Sequence, residues 1–422
     1  MAVPSPTTGG SNPTVPPDVF TGQDFYVPSY KIHIGHHPSD PKDDKNNFVQ
    51  DVLSVTYTDS LTNIDSFDLT VNNCDPSKDS SAQKPEKDSP FKYSDAATFN
   101  PWQPIELWMG YIRNGVDERQ KMLTGEIATM SPNFPASGGS TLTVRALNLL
   151  HRFRMKQEPK PFLHKKDSEI AELIVGNIAQ QIRKSTPNLI VELDPDEMKT
   201  NKANEKPIPY LAMNNQYPIN LLLERSRDIG YELFVEEIPA LTDKKGQRRV
   251  KVHYRPTAAD KKTVYQLVWG KSLISFQPTL QTANQVSSVT VRGWDPTGKV
   301  KIETTVKRSE VKGIVQPGDL DMEDAGSPRE EFVCDHPIQG KDEAKVLAEK
   351  RMLRLAQGIV EARGKTIGLP SLRAGSKVSI SGLGQRFSGV YLVTATTHTM
   401  GDSGYTTDFS ARMESKLNGG GS

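Results

Sequence analysis

The stretch Gly368–Met413, GLPSLRAGSKVSISGLGQRFSGVYLVTATTHTMGDSGYTTDFSARM, decides the fold class of this chain. Val378 and Ile380 alternate with polar neighbours, as a half-buried strand requires. Gly382, Gly384 and Gly389 punctuate the turns that follow. Tyr391 and Val393 open a β-branched, threonine-rich run to Thr399. Gly401-Asp402-Ser403-Gly404 supplies another turn, and Tyr405 to Met413 alternates again. The pattern predicts an antiparallel meander, the closing half of a small barrel.

Upstream lies a charged helix, expected over Lys341–Arg363, with Ala344, Leu347, Ala348, Met352 and Leu355 as its apolar stripe. A polar, loop-like stretch fills 307–340. Before it come strand-like segments at Leu273–Leu280, Gln285–Arg292 and Gly298–Val306. The expected second barrel, residues 271–415, is therefore split, with the loop and helix 307–367 inserted between its halves.

The middle of the chain, 151–270, reads as a small α+β domain. Asp167 can cap a helix over Ser168–Lys184, with Ile170, Leu173, Ile174, Ile178 and Ile182 on one stripe. A second helix covers Ile219–Ile229 and stops at Gly230. The strand Tyr231–Glu236 follows, then a hairpin through Lys244-Lys245-Gly246 to Arg249–Arg255.

Residues 25–150 read as a first barrel. Its strands are expected at 25–34, Phe48–Thr58, Asp65–Asn72, Pro104–Arg113, Lys121–Met130 and Thr141–Arg145. The segment 75–90, DPSKDSSAQKPEKDSP, reads as a solvated insertion. Residues 1–24 hold many prolines and read as a flexible arm, and 416–422 as a flexible tail. The fold class is thus mainly β with an α+β insertion: two barrels and one small α+β domain.

Lys plus Arg total 52 and Asp plus Glu 51, a net charge of +1. That balance argues against bulk nucleic-acid or anionic-membrane binding. Cys74 and Cys334 stand far apart, with no C-x-x-C neighbour, so neither a disulfide framework nor a thiolate metal site is expected. No apolar run approaches the length of a membrane span, and the first residues lack the charged and apolar regions of a secretory signal. Both point to assembly in a cytoplasm.

Several segments resemble chemical motifs. Gly293-Trp294-Asp295-Pro296-Thr297-Gly298-Lys299-Val300 nearly spells a phosphate-binding loop. That loop needs Ser or Thr after the lysine and a helix beyond it, whereas Val300 opens a strand-like run. A hairpin turn fits better. Gly401-Asp402-Ser403-Gly404 beside His398 has the residue types of a serine-hydrolase site, yet three residues of one hairpin rarely achieve triad geometry. His33, His36 and His37 with Asp40, Asp43 and Asp44 offer metal-ligand types without metal-site spacing. The pairs Glu236-Glu237 and Glu330-Glu331 could do acid–base work only in a cleft that raised one pKa. Trp102, Trp108, Trp269 and Trp294 are scattered among strands and suit packing or interfaces better than base stacking. No residue is assigned a catalytic, cofactor-binding or metal role.

Gly368-Leu369-Pro370, Ala374-Gly375, Phe387-Ser388-Gly389-Val390-Tyr391-Leu392-Val393, His398 and Gly404-Tyr405-Thr406-Thr407 together resemble the closing strands of the late control D family. Those are baseplate hub proteins of contractile phage tails and related injection machines, and the same fold forms the first part of VgrG spike proteins. Asn214–Glu237, a helix ending in Gly-Tyr before a strand, is a second point of similarity. Pro218 and Asn220 stand where the family often has an acidic or hydroxyl residue. The helix followed by Gly-x-Pro and an Ala-Gly turn is a third, and Gly293-Trp294-Asp295-Pro296 also has its counterpart. The resemblance covers about 25–415, without the neck and needle of VgrG.

It implies a non-enzymatic structural hub, needing no cofactor. Three copies would form a ring in which two barrels each give pseudo-sixfold symmetry, joining a sixfold inner tube to a separate threefold spike protein and to other baseplate proteins. The hub would be assembled in a bacterial cytoplasm and become part of a tail or injection particle, with no nucleic-acid partner and no stable membrane insertion. The alternative is a hub-associated cell-wall hydrolase or a cargo-binding tube component.

Overall fold

In the computed structural model, the period-two stretches become strands and most of them join one sheet. The structure describes residues 27–416 except 36–45, 76–90, 95–96, 155, 188, 238–247, 257–262, 284, 296–297, 316–328, 335–337 and 339. The arm 1–24, the tail beyond Lys416, most of 75–90 and the turn at Lys244-Lys245-Gly246 lie outside the described residues.

Seven strands come first: β1 (Val27–Ile34), β2 (Val52–Ser60), β3 (Ser66–Asn72), β4 (Pro104–Arg113), β5 (Val116–Asp117), β6 (Gln120–Asn133) and β7 (Thr141–Asn148). They lie in the order β1-β4-β6-β7-β3-β2, with β5 against β4. Burial alternates along β2 and β3, so Val55, Tyr57, Phe67, Leu69 and Val71 all enter one core. Phe48 enters the same core from a 3-10 turn before β2 rather than from the strand, its ring 5.0 Å from that of Phe99.

The α+β unit follows: β8 (Glu158–Lys165), α1 (Asp167–Ser185), β9 (Leu189–Leu193), α2 (Pro195–Asn204), β10 (Ile208–Gln216), α3 (Pro218–Ile229), β11 (Tyr231–Glu237) and β12 (Arg248–Pro256). The strands β11 and β12 form the expected antiparallel pair, and β9 adds to β12 in parallel. A separate hairpin joins β8 to β10. Ile170, Ile174, Ile178 and Ile182 of α1 are buried, but Leu173 is 42% exposed. Asp167 is the first helical residue rather than the cap. Glu169 reaches back to accept from the Lys166 N–H, and Asp167 instead pairs with Arg225 of α3 at 2.7 Å. Pro218 opens α3, where its missing N–H does no harm, and Gly230 ends it in the left-handed region at φ +70°.

The chain then returns to the large sheet with β13 (Thr263–Val268) and β14 (Leu273–Leu280). It leaves for a satellite of β15 (Ser288–Asp295), β16 (Val300–Lys307), β17 (Glu330–Val333) and α4 (Lys341–Gln357). It comes back with β18 (Val360–Ile367), β19 (Lys377–Ser381), β20 (Gly389–Gly401) and β21 (Gly404–Lys416). The second unit runs β13-β19-β20-β21-β18-β14.

Three expectations need correcting here. The segments 285–292 and 298–306 are strands but not barrel strands. They form a three-stranded sheet, with β17 parallel to β15, whose Val289, Val291, Ile302 and Val306 pack on Ala344, Ala348 and Met352 of α4. The apolar stripe of α4 needs a cover, and this sheet supplies it. The helix ends at Gln357, not Arg363. Val360-Glu361-Ala362-Arg363-Gly364-Lys365-Thr366-Ile367 alternates buried and less buried positions, and pairs with β14 and β21. The excursion from the second unit therefore runs from 281 to 359 rather than 307 to 367. At the other boundary, β13 begins at Thr263, within the span assigned to the α+β domain.

One hairpin ties the two β units together. The base of β20, Gly389–Leu392, pairs with β19, while Ala395–Gly401 pairs with β2. Its tip residues Met400 and Tyr405 lie in the first core. Its base residues Tyr391, Val393, Phe409, Ala411 and Met413 lie in the second. Two glycines let rings lie flat on the neighbouring backbone: an added Cβ would stand 2.3 Å from the Phe409 ring at Gly364 and 2.1 Å from the Tyr405 ring at Gly368.

Candidate functional site at the seam of the two β units

Where β2 meets β20, the register sets Tyr57 opposite His398 and Asp59 opposite Thr396. All four side chains are buried. The loop between β18 and β19 crosses this seam and inserts Arg373. Its Nε donates to Asp59 Oδ2 at 2.7 Å, and its Nη2 donates to the Met122 carbonyl at 3.1 Å and to the Tyr57 hydroxyl. The guanidinium also lies over the Tyr57 ring, 4.6 Å from the centroid. Asp59 accepts two more bonds, from the Ala374 N–H at 3.1 Å and from Thr396 Oγ1. Burial works against the Arg373 charge, but Tyr57 and Asp59 outweigh it and raise its pKa.

A second layer sits beside the first. His398 Nε2 lies 3.0 Å from the Leu372 carbonyl, which can only accept, so Nε2 carries the proton. Its Nδ1 then accepts from the Tyr405 hydroxyl at 2.9 Å, with Thr407 Oγ1 at 3.1 Å. Thr407 Oγ1 accepts from the Leu369 N–H at 3.0 Å, and Tyr111 donates to the Gly368 carbonyl at 2.8 Å. Burial, with Arg373 adding, pushes His398 down to about 4, so the ring is neutral. Asp65 lies at the same seam, held by Asn148 at 2.8 Å. Burial and the nearby Asp59 push it up to about 8.

This arrangement is a clamp. It fixes the loop Gly368–Ser376 to both units and satisfies its charges internally. Gly401-Asp402-Ser403-Gly404 is the turn expected of it, not a hydrolase triad: His398 is enclosed by Tyr405, Thr407 and Leu372, while Asp402 and Ser403 are exposed in the turn. The residues quoted for the family resemblance, Gly368, Leu369, Ala374, His398, Tyr405 and Thr407, gather at this seam. Tyr57, Asp59 and Asp65 were missed. Four acids and hydroxyls in Tyr57-Thr58-Asp59-Ser60 look like an exposed strand end until its partner is known.

The other candidates scatter. Gly293, Trp294 and Asp295 end β15 and Val300 opens β16 as a hairpin partner, with the Gly298 N–H bonded to Asp295 Oδ1 at 3.1 Å, while Pro296 and Thr297 lie outside the described residues. His33 is buried in β1, and His36, His37, Asp40, Asp43 and Asp44 lie outside the described residues. Glu331 pairs with Arg351 at 2.6 Å, and Glu330 is exposed. Trp108 lies between Lys31 and Lys121, while Trp102, Trp269 and Trp294 are each about 60% exposed, which rules out core packing for those three.

Glu236 belongs to a cluster the sequence did not reveal. Asp194, Glu197 and His253 bring ligand-type atoms within 4.8 Å of one another. The only sequence signal was Asp194-Pro195-Asp196-Glu197, a helix start one turn deep, and His253 is distant in sequence. His253 Nδ1 faces Glu197 at 2.9 Å and Nε2 faces Glu236 at 2.8 Å, while Arg255 takes Glu197 and Lys251 takes Asp194. Metal binding needs a neutral imidazole with a free lone pair. Here both nitrogens donate to carboxylates, which outweigh burial and raise the His253 pKa. The cluster is an ion-pair network.

Comparison with known proteins bears on the fold. A family model described as the Alg8 N-terminal domain matches residues 245–402, less than half of the chain. That span starts before β12, crosses three sheets and stops in the β20–β21 turn, so it corresponds to no unit of the structure. No curated protein matches the chain. Among solved structures, a 43 kDa tail protein of prophage MuSo2 from Shewanella oneidensis aligns at a TM-score of 0.61 and 14% identity, over 92% of this chain and 99% of its own. A tail protein from Neisseria meningitidis aligns at 0.58 and 10%, over 92% and 97%. A component of the E. coli type VI secretion system, itself similar to bacteriophage T4 tail proteins, aligns at 0.51 and 10%, over 90% and 76%. The chain therefore carries the mainly β fold of phage tail proteins and of VgrG-like components, the fold that the motifs of its last hairpin implied.

Proposed function

We propose that this chain is the baseplate hub of a contractile, phage tail-like injection machine. Three copies form a pseudo-sixfold ring that joins a sixfold inner tube to a separate threefold spike. The observation that carries this reading is the paired architecture: one chain holds two β units, of seven and six strands, joined by a shared hairpin and clamped at the seam. A ring of three such chains presents six units, and the clamp keeps the two units of each chain at a fixed angle. The strand order also leaves β1 and β14 at its two ends, each with an exposed apolar side chain, Val27 and Ile274. Open edges at opposite ends suit head-to-tail contacts that close into a ring.

Inner tube, spike and other baseplate proteins are the partners, and the role is mechanical rather than enzymatic. The hub is assembled in a bacterial cytoplasm and becomes part of the particle; no described helix is long and apolar enough to cross a membrane. The hydrolase alternative gains no support from the seam, whose acids serve as ion-pair and hydrogen-bond partners. Native mass of the chain, alone and co-expressed with its spike, is the test. A trimer or a three-to-three complex is expected. A monomer in both conditions would sink the ring.

A further inference from the structure

Between α3, β17 and α4 lies a cavity of about 340 Å³ whose charges do not balance. Arg227, Lys350, Arg351 and Arg354 line it, against Asp228 and Glu331. Both acids are already engaged. Glu331 bonds Arg351 at 2.6 Å, and Asp228 lies 3.6 Å from Arg225. Among the described residues, no ion pair forms at Arg227, Lys350 or Arg354. Burial lowers the pKa of Arg354, and Arg351, Arg227 and Arg412 lower it further against the pull of Asp228; burial lowers that of Lys350 despite the attraction of Asp167 and Glu205. Arg354 and Lys350 are thus held where their charged form is disfavoured, and an anion in the cavity would offset that.

Two further features say what kind of anion fits. The lining also has apolar side chains, Phe332 and Val333 of β17 and Leu347 of α4, and Phe332 is half exposed. In addition, β17 ends the order β16-β15-β17, so among the described residues its outer backbone edge has no strand partner. A peptide laid along that edge sends alternate side chains inward, as Glu331 now points to Arg351. We propose that this cavity docks an extended acidic segment of a partner protein, its carboxylates taken by Arg227, Lys350 and Arg354 and its apolar side chains by Phe332 and Leu347. Planar guanidinium groups match carboxylates in paired bonds. This inference does not rest on the hub reading, since its readout is binding by the isolated chain.

The test uses the full chain and a fluorescein-labelled hexapeptide of alternating glutamate and leucine, read by anisotropy. Binding is expected at about 50 mM salt and should weaken about tenfold or more at about 500 mM. The pair Arg227→Glu with Arg354→Glu, both exposed residues, should weaken binding by at least about tenfold, as reversed charges at a docking site do. Should that pair melt early, Lys350→Gln replaces it, with a weakening of about threefold expected from losing one charge. Four results would overturn the proposal: no binding of the glutamate peptide at low salt, unchanged binding by variants that fold, equal binding of a lysine–leucine peptide, or displacement by a DNA duplex or inorganic phosphate at the peptide's own concentration.

Discussion

The seam and the cavity beside α4 both gather arginines, and they treat them in opposite ways. At the seam, Arg373 meets a carboxylate, a phenol and a carbonyl, and every acceptor around Asp59 has its donor. In the cavity, four cations face two acids that are already engaged. A charge buried with its partners holds a structure in one arrangement, whereas charges left over are available for something outside the chain. The same residue type is architecture in one place and a recognition surface in the other.

Substitution can break that contrast. The largest effect is expected from Arg373→Met, which leaves Asp59 buried without its counter-charge, at a cost of about 3–5 kcal/mol. Urea unfolding reads it, and Asp59→Asn added to the same chain should recover part of the loss. If the single variant costs under about 1 kcal/mol, the seam is not a clamp.

Gly368→Ala comes next. Its methyl group meets the Tyr405 ring, which must leave its place beside His398 and Tyr111. Overpacking of this kind costs about 1–3 kcal/mol. A melting temperature equal to that of the parent would show that the ring has room to move.

Acidity sharpens the comparison. The folded-state pKa of Asp65 is raised to about 8, so the folded chain holds that proton more tightly than the unfolded chain. Stability from this group is present at acid pH and is lost as pH rises from about 4 toward 8. Asp65→Asn keeps the acceptor for Asn148 without the charge. It should raise the melting temperature at pH 8 more than at pH 5, and an equal shift at both would contradict the argument. His253 is also raised, so its contribution is full below about 6.5 and is lost as pH climbs through its folded value. Because Glu236 is 59% exposed, solvent screening makes this the weaker of the two.

The smallest change in stability is expected in the cavity. Lys350→Gln should alter unfolding free energy by no more than about 0.5 kcal/mol, and in the stabilising direction, since burial disfavours the lysine's charge. A clear loss would mean that these cations are architecture after all.

Most strands were legible because they alternate with a period of two, and because glycine marks the turns. The α1 stripe and the Gly230 stop were legible for the same local reasons. What was hidden is long-range. Residues 288–307 read as strands, but nothing local says whether a strand joins a barrel or covers a helix. The first half of β18, Val360–Arg363, reads as helix because Glu361 and Arg363 continue the charged pattern of α4. The four residues of β17 are too few to show a period. The seam was half visible: the motifs on its C-terminal side carried the resemblance, while Asp59 and Tyr57 became intelligible only through a partner strand far away.

That distance has a consequence for how the chain is made. Thr58 and Thr397 touch across the β2–β20 ladder at 3.4 Å, 339 residues apart in sequence. A ribosome adding about 5–20 residues per second leaves β2 an open edge for tens of seconds after it emerges. Neither core can close until the hairpin Gly389–Lys416 is synthesised, since it supplies side chains to both. The arrival of that hairpin marks completion of the fold: a chain interrupted before it has two unfinished cores and no seam.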